Sequence, residues 1–165
     1  MIVKLRLATF EDLPEIIRLI ADDFLGQQRE NFKLPLDECY IKAFREIEAD
    51  PNNELIVATM NSASGEADAG KDACAPVVGT LQLTYTPSLS FQGGRRCTVE
   101  SVRVDEKYRG QGIGREMMLL AIERARERDC ISMQLTTHNE RVNAHRFYEN
   151  LGFAASHLGM KLKLK

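Results

Sequence analysis

The 165 residues predict a mixed α/β fold in one domain, and three features carry that expectation. Hydrophobic spacing switches between strict alternation, which marks strands, and recurrence every three or four residues, which marks helices. Predicted strands come first in a run and then alternate with helices, the order of a mixed sheet. A glycine-rich turn joins a strand to a helix in mid-chain. The length suits one domain with a full core, and residues 1–165 are read as one unit without internal repeats.

Met1 to Leu7 alternates and reads as the first strand. Thr9 with Asp12 marks a helix start, after which Leu13, Ile16, Ile17, Ile20 and Phe24 recur at helical spacing. Pro14 is tolerated there because it lies near that start. Residues 26–34 are a polar connection. Leu36, Cys39, Tyr40, Ala43, Phe44 and Ile47 give a second amphipathic helix, closed near Asp50-Pro51.

Leu55 to Met60 reads as a strand, and so do Val77 to Tyr85 and Cys97 to Val104. Between the first two, residues 61–76 are rich in Ala, Ser, Gly and Asp and are expected to be a mobile hairpin loop. Thr86 to Arg95, with Pro87 and Gly93-Gly94, is a turn. In the third of these strands Val99 occupies one face while Val102 and Val104 occupy the other. A one-residue phase slip of this kind is what a β-bulge produces; burial on both faces or plain irregularity would also give it.

A helix follows the glycine turn from about Gly114 to Arg128, then a strand through Ile131, Met133 and Leu135. The last helix carries Ala144, Phe147, Tyr148 and Leu151 on one face and is closed by Gly152. Ser156 to Lys165 is expected to be a final strand.

Composition excludes several classes. A net charge of −2 provides no positive field for nucleic acid or an anionic membrane. No apolar run approaches the roughly 18 residues that span a bilayer, and the start of the chain has no signal-peptide pattern, so a cytoplasmic location is expected. Cys39, Cys74, Cys97 and Cys130 are scattered, which suits reduced thiols and no metal site.

The chemistry concentrates in Arg109-Gly110-Gln111-Gly112-Ile113-Gly114. Glycines admit positive φ and close ligand approach. Free amides at the helix start, with a partial charge of about +0.5, form a cradle for a phosphate or diphosphate. Arg109 and Arg115 would add charge-assisted donors. The bland alternative is a tight strand-to-helix turn. A P-loop is excluded because Arg115-Glu116 stands where Lys-Ser/Thr is needed. A dinucleotide fingerprint is disfavoured because Arg115 stands where its last glycine falls.

Val102-x-Val104 followed by Arg109-Gly110-Gln111-Gly112-Ile113-Gly114 resembles the acetyl-CoA loop of the GNAT family of N-acetyltransferases, whose pattern is Arg/Gln-x-x-Gly-x-Gly/Ala. Phe147-Tyr148-Glu149-Asn150-Leu151-Gly152-Phe153 is similar to that family's closing helix, and the element order of the whole chain matches its fold. The resemblance implies a mixed, largely antiparallel sheet split between the fourth and fifth strands and flanked by helices. It implies an acyltransferase that moves an acetyl group from acetyl-CoA to a primary amine, directly within a ternary complex. The diphosphate of coenzyme A would sit on the amides of Gln111, Gly112 and Gly114. Gly110 and Ile113 complete that loop, and Arg109 and Arg115 flank it. The pantetheine arm would pair with the main chain of Val102 and Val104, with the Val104 N–H facing the nascent oxyanion.

Within that resemblance Tyr148 is the candidate acid beside the sulfur, and its alternative is a core position. Glu100 is the candidate base, directly or through water, and its alternative is an exposed strand glutamate. Arg141 stands where many relatives have an asparagine; Asn139 and Asn143 lie two residues away and do not replace it simply. His138, His145 and His157 form no convincing set. Asp22, Asp23 and Glu30 suit a cationic acceptor, whereas Arg95 and Arg96 suit a carboxylate, so no acceptor is named. The charged face of the third helix (Glu116, Glu123, Arg124, Glu127, Arg128) reads as solvated. Family analogy also implies a homodimer. The competing reading is a non-catalytic CoA or acyl-CoA sensor that keeps the loop without needing Tyr148 or Glu100.

Overall fold

A computed structural model describes residues 2–22, 26–27, 29–61 and 75–164. The expected loop over 61–76 lies, apart from its ends, outside the described residues, as do Asp23, Phe24 and Cys74.

Strand β1 (Ile2–Leu7) leads through a single 3-10 turn (Phe10–Asp12) into helix α1 (Leu13–Ala21), and α2 spans Glu38–Ala49. The entry to α1 is set by Asp12. Its carboxylate takes a fork from Arg6 at 2.6 and 2.8 Å and the Thr9 N–H at 2.7 Å. Strands β2 (Asn53–Asn61), β3 (Val77–Pro87) and β4 (Arg95–Val104) follow. Helix α3 (Ile113–Glu127), strand β5 (Cys130–Leu135) and helix α4 (Val142–Glu149) complete the order.

The sheet runs β1-β2-β3-β4-β5, antiparallel throughout except for the parallel pair β4–β5. That parallel pair is the consequence of α3 carrying the chain back across the sheet. Alternation along β2 divides the two layers. Ile56, Ala58 and Met60 join the main core with Met117, Met118 and Ala121 of α3. Val57 packs with Ile16 and Leu19 of α1 on the other face, and Leu55 borders the cluster of Leu13, Ile17 and Phe44 from α1 and α2.

Two expectations fail. Residues 154–164 form no strand, so the sheet has five strands among the described residues rather than six. Alternation specifies a face, but a strand exists only where an edge pairs with it. The charged face of α3 is also not purely solvated. Arg128 holds the buried Glu54 at 2.7 Å and lies 4.3 Å from the Tyr85 ring centroid, so it caps the core. No helix among the described residues is long and apolar enough to cross a membrane.

Candidate functional site

The site is built from the two halves of β4. Its first half, Arg95 to Val99, pairs with β3 on one side and β5 on the other. Beyond Val99 the β5 ladder stops, while β3 continues to Gly79↔Val104. The sheet therefore splits between its fourth and fifth strands.

At the same point the β3 register slips. Thr80 faces Arg103 and Gln82 faces Glu100, so two steps on β3 match three on β4. Ser101 takes φ +52°, a left-handed conformation that a non-glycine residue adopts rarely. This is the β-bulge that the Val99/Val102 phase slip announces. It returns Val102 and Val104 to the face of Val99, against the main core.

The bulged end of β4 faces a cavity of about 620 Å³. Val102, Arg103 and Val104 line it from the strand, Arg109 from the glycine turn, and His138 and Arg141 from the approach to α4. Where β5 no longer pairs, side chains meet the strand's carbonyls. Arg103 Nη1 donates to Val102 O at 2.9 Å, and Arg109 Nε donates to Val104 O at 3.1 Å. Three guanidiniums thus converge on one opening. Arg103 is the member that sequence reading missed; standing between two expected contact valines was its only signal.

The turn itself follows from its glycines. Gly110 and Gly112 have φ of +76° and +85°, and a Cβ on either would meet nothing within 4 Å. Their role is conformational, not spatial. Gly112 is the N-cap of α3, and its carbonyl accepts the Glu116 N–H at 3.0 Å. The amides of Ile113, Gly114 and Arg115 precede the first intrahelical bond and stay available to an anion. Gly114 is where space is close, because a Cβ there would lie 3.6 Å from both Val104 and Phe147. Gln111 turns back to Lys107 O at 3.3 Å. The exposed Arg115 stands 3.9 Å from Glu116.

A second opening, of about 560 Å³, lies on the α1 side of Arg109. Arg18 spans it, holding Glu15, Asp22 and Asp105 at 2.7 to 2.8 Å. This ties α1 to the end of β4. Burial would raise the Asp105 carboxyl, but the Arg18 guanidinium and the Lys107 N–H outweigh it and hold it below the usual range.

Tyr148 packs on the main core, with the Phe147 and Phe153 rings at 5.1 and 5.9 Å. Burial raises its pKa, against the lowering influence of Arg103 and Arg141. Its hydroxyl therefore stays protonated at neutral pH, as a hydrogen-bond or proton donor must. Glu100 projects from the other face of β4, exposed and next to the bulge. Tyr148 thus lies on the core side of the sheet and Glu100 on the other, and neither is among the residues that line the cavity.

Arg141 is brought to the cavity as the N-cap residue of α4, and Asn143 also lines it. His138 lines the cavity, and its carbonyl faces His145 Nε2 at 3.0 Å. His157 pairs with Ser156 well away in sequence from both. Cys97 is fully buried beside the split, and burial pushes its thiol up to about 12, so it is no nucleophile at neutral pH. Among the described residues no group of His, Cys, Asp and Glu side chains is arranged to hold a metal ion.

The model of the acetyltransferase (GNAT) family matches residues 14–153. The glucosamine 6-phosphate N-acetyltransferase of Trypanosoma brucei brucei is 34% identical over 88 residues, covering 53% of this chain and 58% of that protein. The streptothricin acetyltransferase of Streptomyces lavendulae is 31% identical over 118 residues, covering 68% of this chain and 62% of that protein. The chain thus spans roughly three fifths of the length of these curated relatives. A crystal structure described as a transcriptional regulator from Bacillus halodurans C-125 is 47% identical, with a TM-score of 0.88 and coverage of 99% of this chain and 100% of that one.

Proposed function

Because the chain belongs to the acetyltransferase (GNAT) family, we propose that it transfers an acetyl group from acetyl-CoA to a primary amine at the split between β4 and β5. The observation that carries this reading is the bulged, half-unpaired end of β4 lying directly against a cradle of free amides. A donor with a diphosphate and an amide-bearing arm fits both parts.

In this reading the diphosphate rests on the amides of Gln111, Gly112 and Gly114, at the positive end of α3. Gly110 and Ile113 shape the turn, and Arg109 and Arg115 neutralise charge at its two ends. The pantetheine arm pairs with the main chain of Val102 and Val104, replacing the guanidiniums that now contact those carbonyls. Arg103 and Arg141 then serve the donor's phosphates or an anionic acceptor.

The chemistry needs a neutral amine, since an ammonium with pKa near 10.4 has no lone pair. Glu100, directly or through water, takes that proton. The amine attacks the thioester carbonyl, and the Val104 N–H faces the oxygen as it gains charge. The C–S bond breaks, and Tyr148 gives a hydrogen bond or a proton to the departing sulfur. Both reactants are held in one complex, so positioning supplies much of the rate. The relatives' acceptors, glucosamine 6-phosphate and streptothricin, support an amine acceptor without naming this chain's own.

A second reading is favoured by the description of the 47%-identical structure as a transcriptional regulator. In it the chain binds CoA or acyl-CoA without turnover and reports that to a partner. Calorimetric titration with acetyl-CoA, with NAD and ATP as controls, tests the common premise; saturable binding of acetyl-CoA alone is expected. An amine screen on wild type and Tyr148→Phe then separates the two. Turnover that falls in the variant supports transfer, whereas binding without turnover supports the sensor.

A further inference from the structure

Helices α1 and α3 lie on opposite faces of the sheet, yet a side chain of α1 reaches the segment that leads into α3. Ile16 and Leu19 are buried with Val57 and Val77, so the core fixes α1 in place. Arg18 stands between them and uses three nitrogens on three carboxylates. Nε donates to Glu15 and Nη1 to Asp22, both at 2.8 Å, and Nη2 donates to Asp105 at 2.7 Å. The first two partners are one helical turn away, and their side chains are 47 and 62% exposed. Exposed pairs of that kind contribute little. Asp105 is 12% exposed and 87 residues away in sequence, so this shielded pair is the one that joins two parts of the fold.

Asp105 in turn sets the course of the chain into the glycine turn. Its N–H donates to Val78 O at 2.9 Å. Its second carboxylate oxygen accepts the Lys107 N–H at 3.0 Å, and its carbonyl accepts the Tyr108 N–H at 2.9 Å, which closes a 3-10 turn (Glu106–Tyr108). Arg109 leaves that turn directly, and Gly110 and Gly112 follow at positive φ. Tyr108 packs on the main core. The 3-10 turn is thus gripped by the core on one face of the sheet and by Arg18 on the other.

We propose that Arg18 is a positioning residue for the donor: through Asp105 it holds the backbone that presents Arg109 and the amides of the cradle. It acts on the backbone rather than on the donor, since it does not line the cavity at the split. Through Asp22 the same guanidinium anchors the start of the α1–α2 connection, so that connection and the cradle share one fixed point. The inference rests on the reading that the cradle holds the diphosphate of acetyl-CoA. Amide hydrogen bonds weaken steeply as their angle departs from linear, so a cradle binds only as well as its backbone is aimed. A donor arm on Val104 would displace Arg109 Nε from that carbonyl, whereas the grip of Arg18 on Asp105 would stay.

Calorimetric titration of acetyl-CoA into the wild type, Arg18→Met, Arg18→Lys, Asp105→Asn and the double variant Arg18→Met/Asp105→Asn tests it. Asp105→Asn keeps an oxygen for the Lys107 N–H and removes the charge that Arg18 holds, so it stays informative if Arg18→Met fails to fold. Each single variant should weaken acetyl-CoA binding at least about fivefold, the lower end of coupling between sites. The double variant should bind no more weakly than the weaker single one, since both changes cut one link. Arg18→Lys should fall between wild type and Arg18→Met, because a point charge can hold Asp105 but lacks the fork that spans three carboxylates. Asp12→Asn loosens the start of the same helix and is the stability control; its affinity should stay within about twofold of wild type. A loss below about fivefold in folded Arg18→Met or in Asp105→Asn would overturn the proposal. So would an equal loss in Asp12→Asn, which would make the effect one of general stability. A wild type that binds no acetyl-CoA would overturn the donor site itself, and this inference with it.

Discussion

The two halves of β4 are made of one strand and do opposite work. From Arg95 to Val99 it is held by neighbours on both sides, and Cys97 and Val99 are buried. From Glu100 to Val104 it keeps β3, loses β5, and carries one extra residue at a strained φ. Pairing on both edges gives stability and leaves nothing for a ligand to bond. Pairing on one edge leaves main-chain groups exposed beside a cavity, with the glycine turn within reach. The bulge at Ser101 marks the boundary, in keeping with the use of bulges to end pairing and re-aim side chains near sites.

If the division holds, substitutions in the open half and its cradle should cost ligand binding or turnover, and substitutions in the paired half should cost stability. The largest effect is expected at the cradle. Gly112→Asp places a carboxylate at the proposed anion site and forces a side chain into φ +85°. Acetyl-CoA affinity should fall at least about a hundredfold by calorimetry, with the far-ultraviolet circular dichroism of a folded protein retained. Unchanged affinity would reduce the turn to architecture.

Tyr148→Phe comes next. If Tyr148 serves the departing sulfur as proposed, removal of its hydroxyl should lower kcat by about a hundredfold. The dissociation constant for acetyl-CoA should stay within about twofold. An unaltered kcat would return Tyr148 to a purely packing role.

The paired half should respond the other way. Val99→Ala removes buried methyl groups and should cost about 2 kcal/mol of stability in denaturant titration, while acetyl-CoA affinity is kept. Loss of binding without loss of stability would erase the distinction between the halves.

The smallest effect concerns the frame that holds α1 under the sheet. Burial would raise the Asp12 carboxyl, but the Arg6 fork and the Thr9 N–H outweigh it and hold its pKa below the usual value. A carboxyl depressed in the folded state stabilises above its unfolded pKa, and that stability is lost as pH falls through the folded value. Stability should therefore be flat down to about pH 4 and decline below it. Asp12→Asn should flatten the decline, measured by urea titration at several pH values.

Much of the fold was legible because hydrophobic period reports which face of an element is buried. The stripe of Ile113, Met117, Leu120, Ala121 and Ala125 marks α3, and all but the partly buried Leu120 are buried. The bulge was legible for the same reason, since a slip in alternation between Val99 and Val102 is a slip in backbone register. The glycine turn could be read because positive φ selects glycine before any tertiary contact is made. Arg103 was not legible, because an arginine between two strand valines carries no periodic signal until the split opens beside it. Arg128 was misread, because helical spacing places it on a charged face while only the packed sheet brings the buried Glu54 to that spot.

Local chemistry thus determined the elements, their buried faces, the bulge and the cradle, because periodicity, glycine conformation and turn chemistry act within a few residues. Tertiary structure alone decided which edges are paired. It ended the β5 ladder at Val99, opened the cavity there, brought three arginines to it from β4, the turn and α4, and left residues 154–164 outside the sheet. A strand's hydrogen bonds lie with its neighbours, and the identity of a neighbour is not written in the strand's own residues.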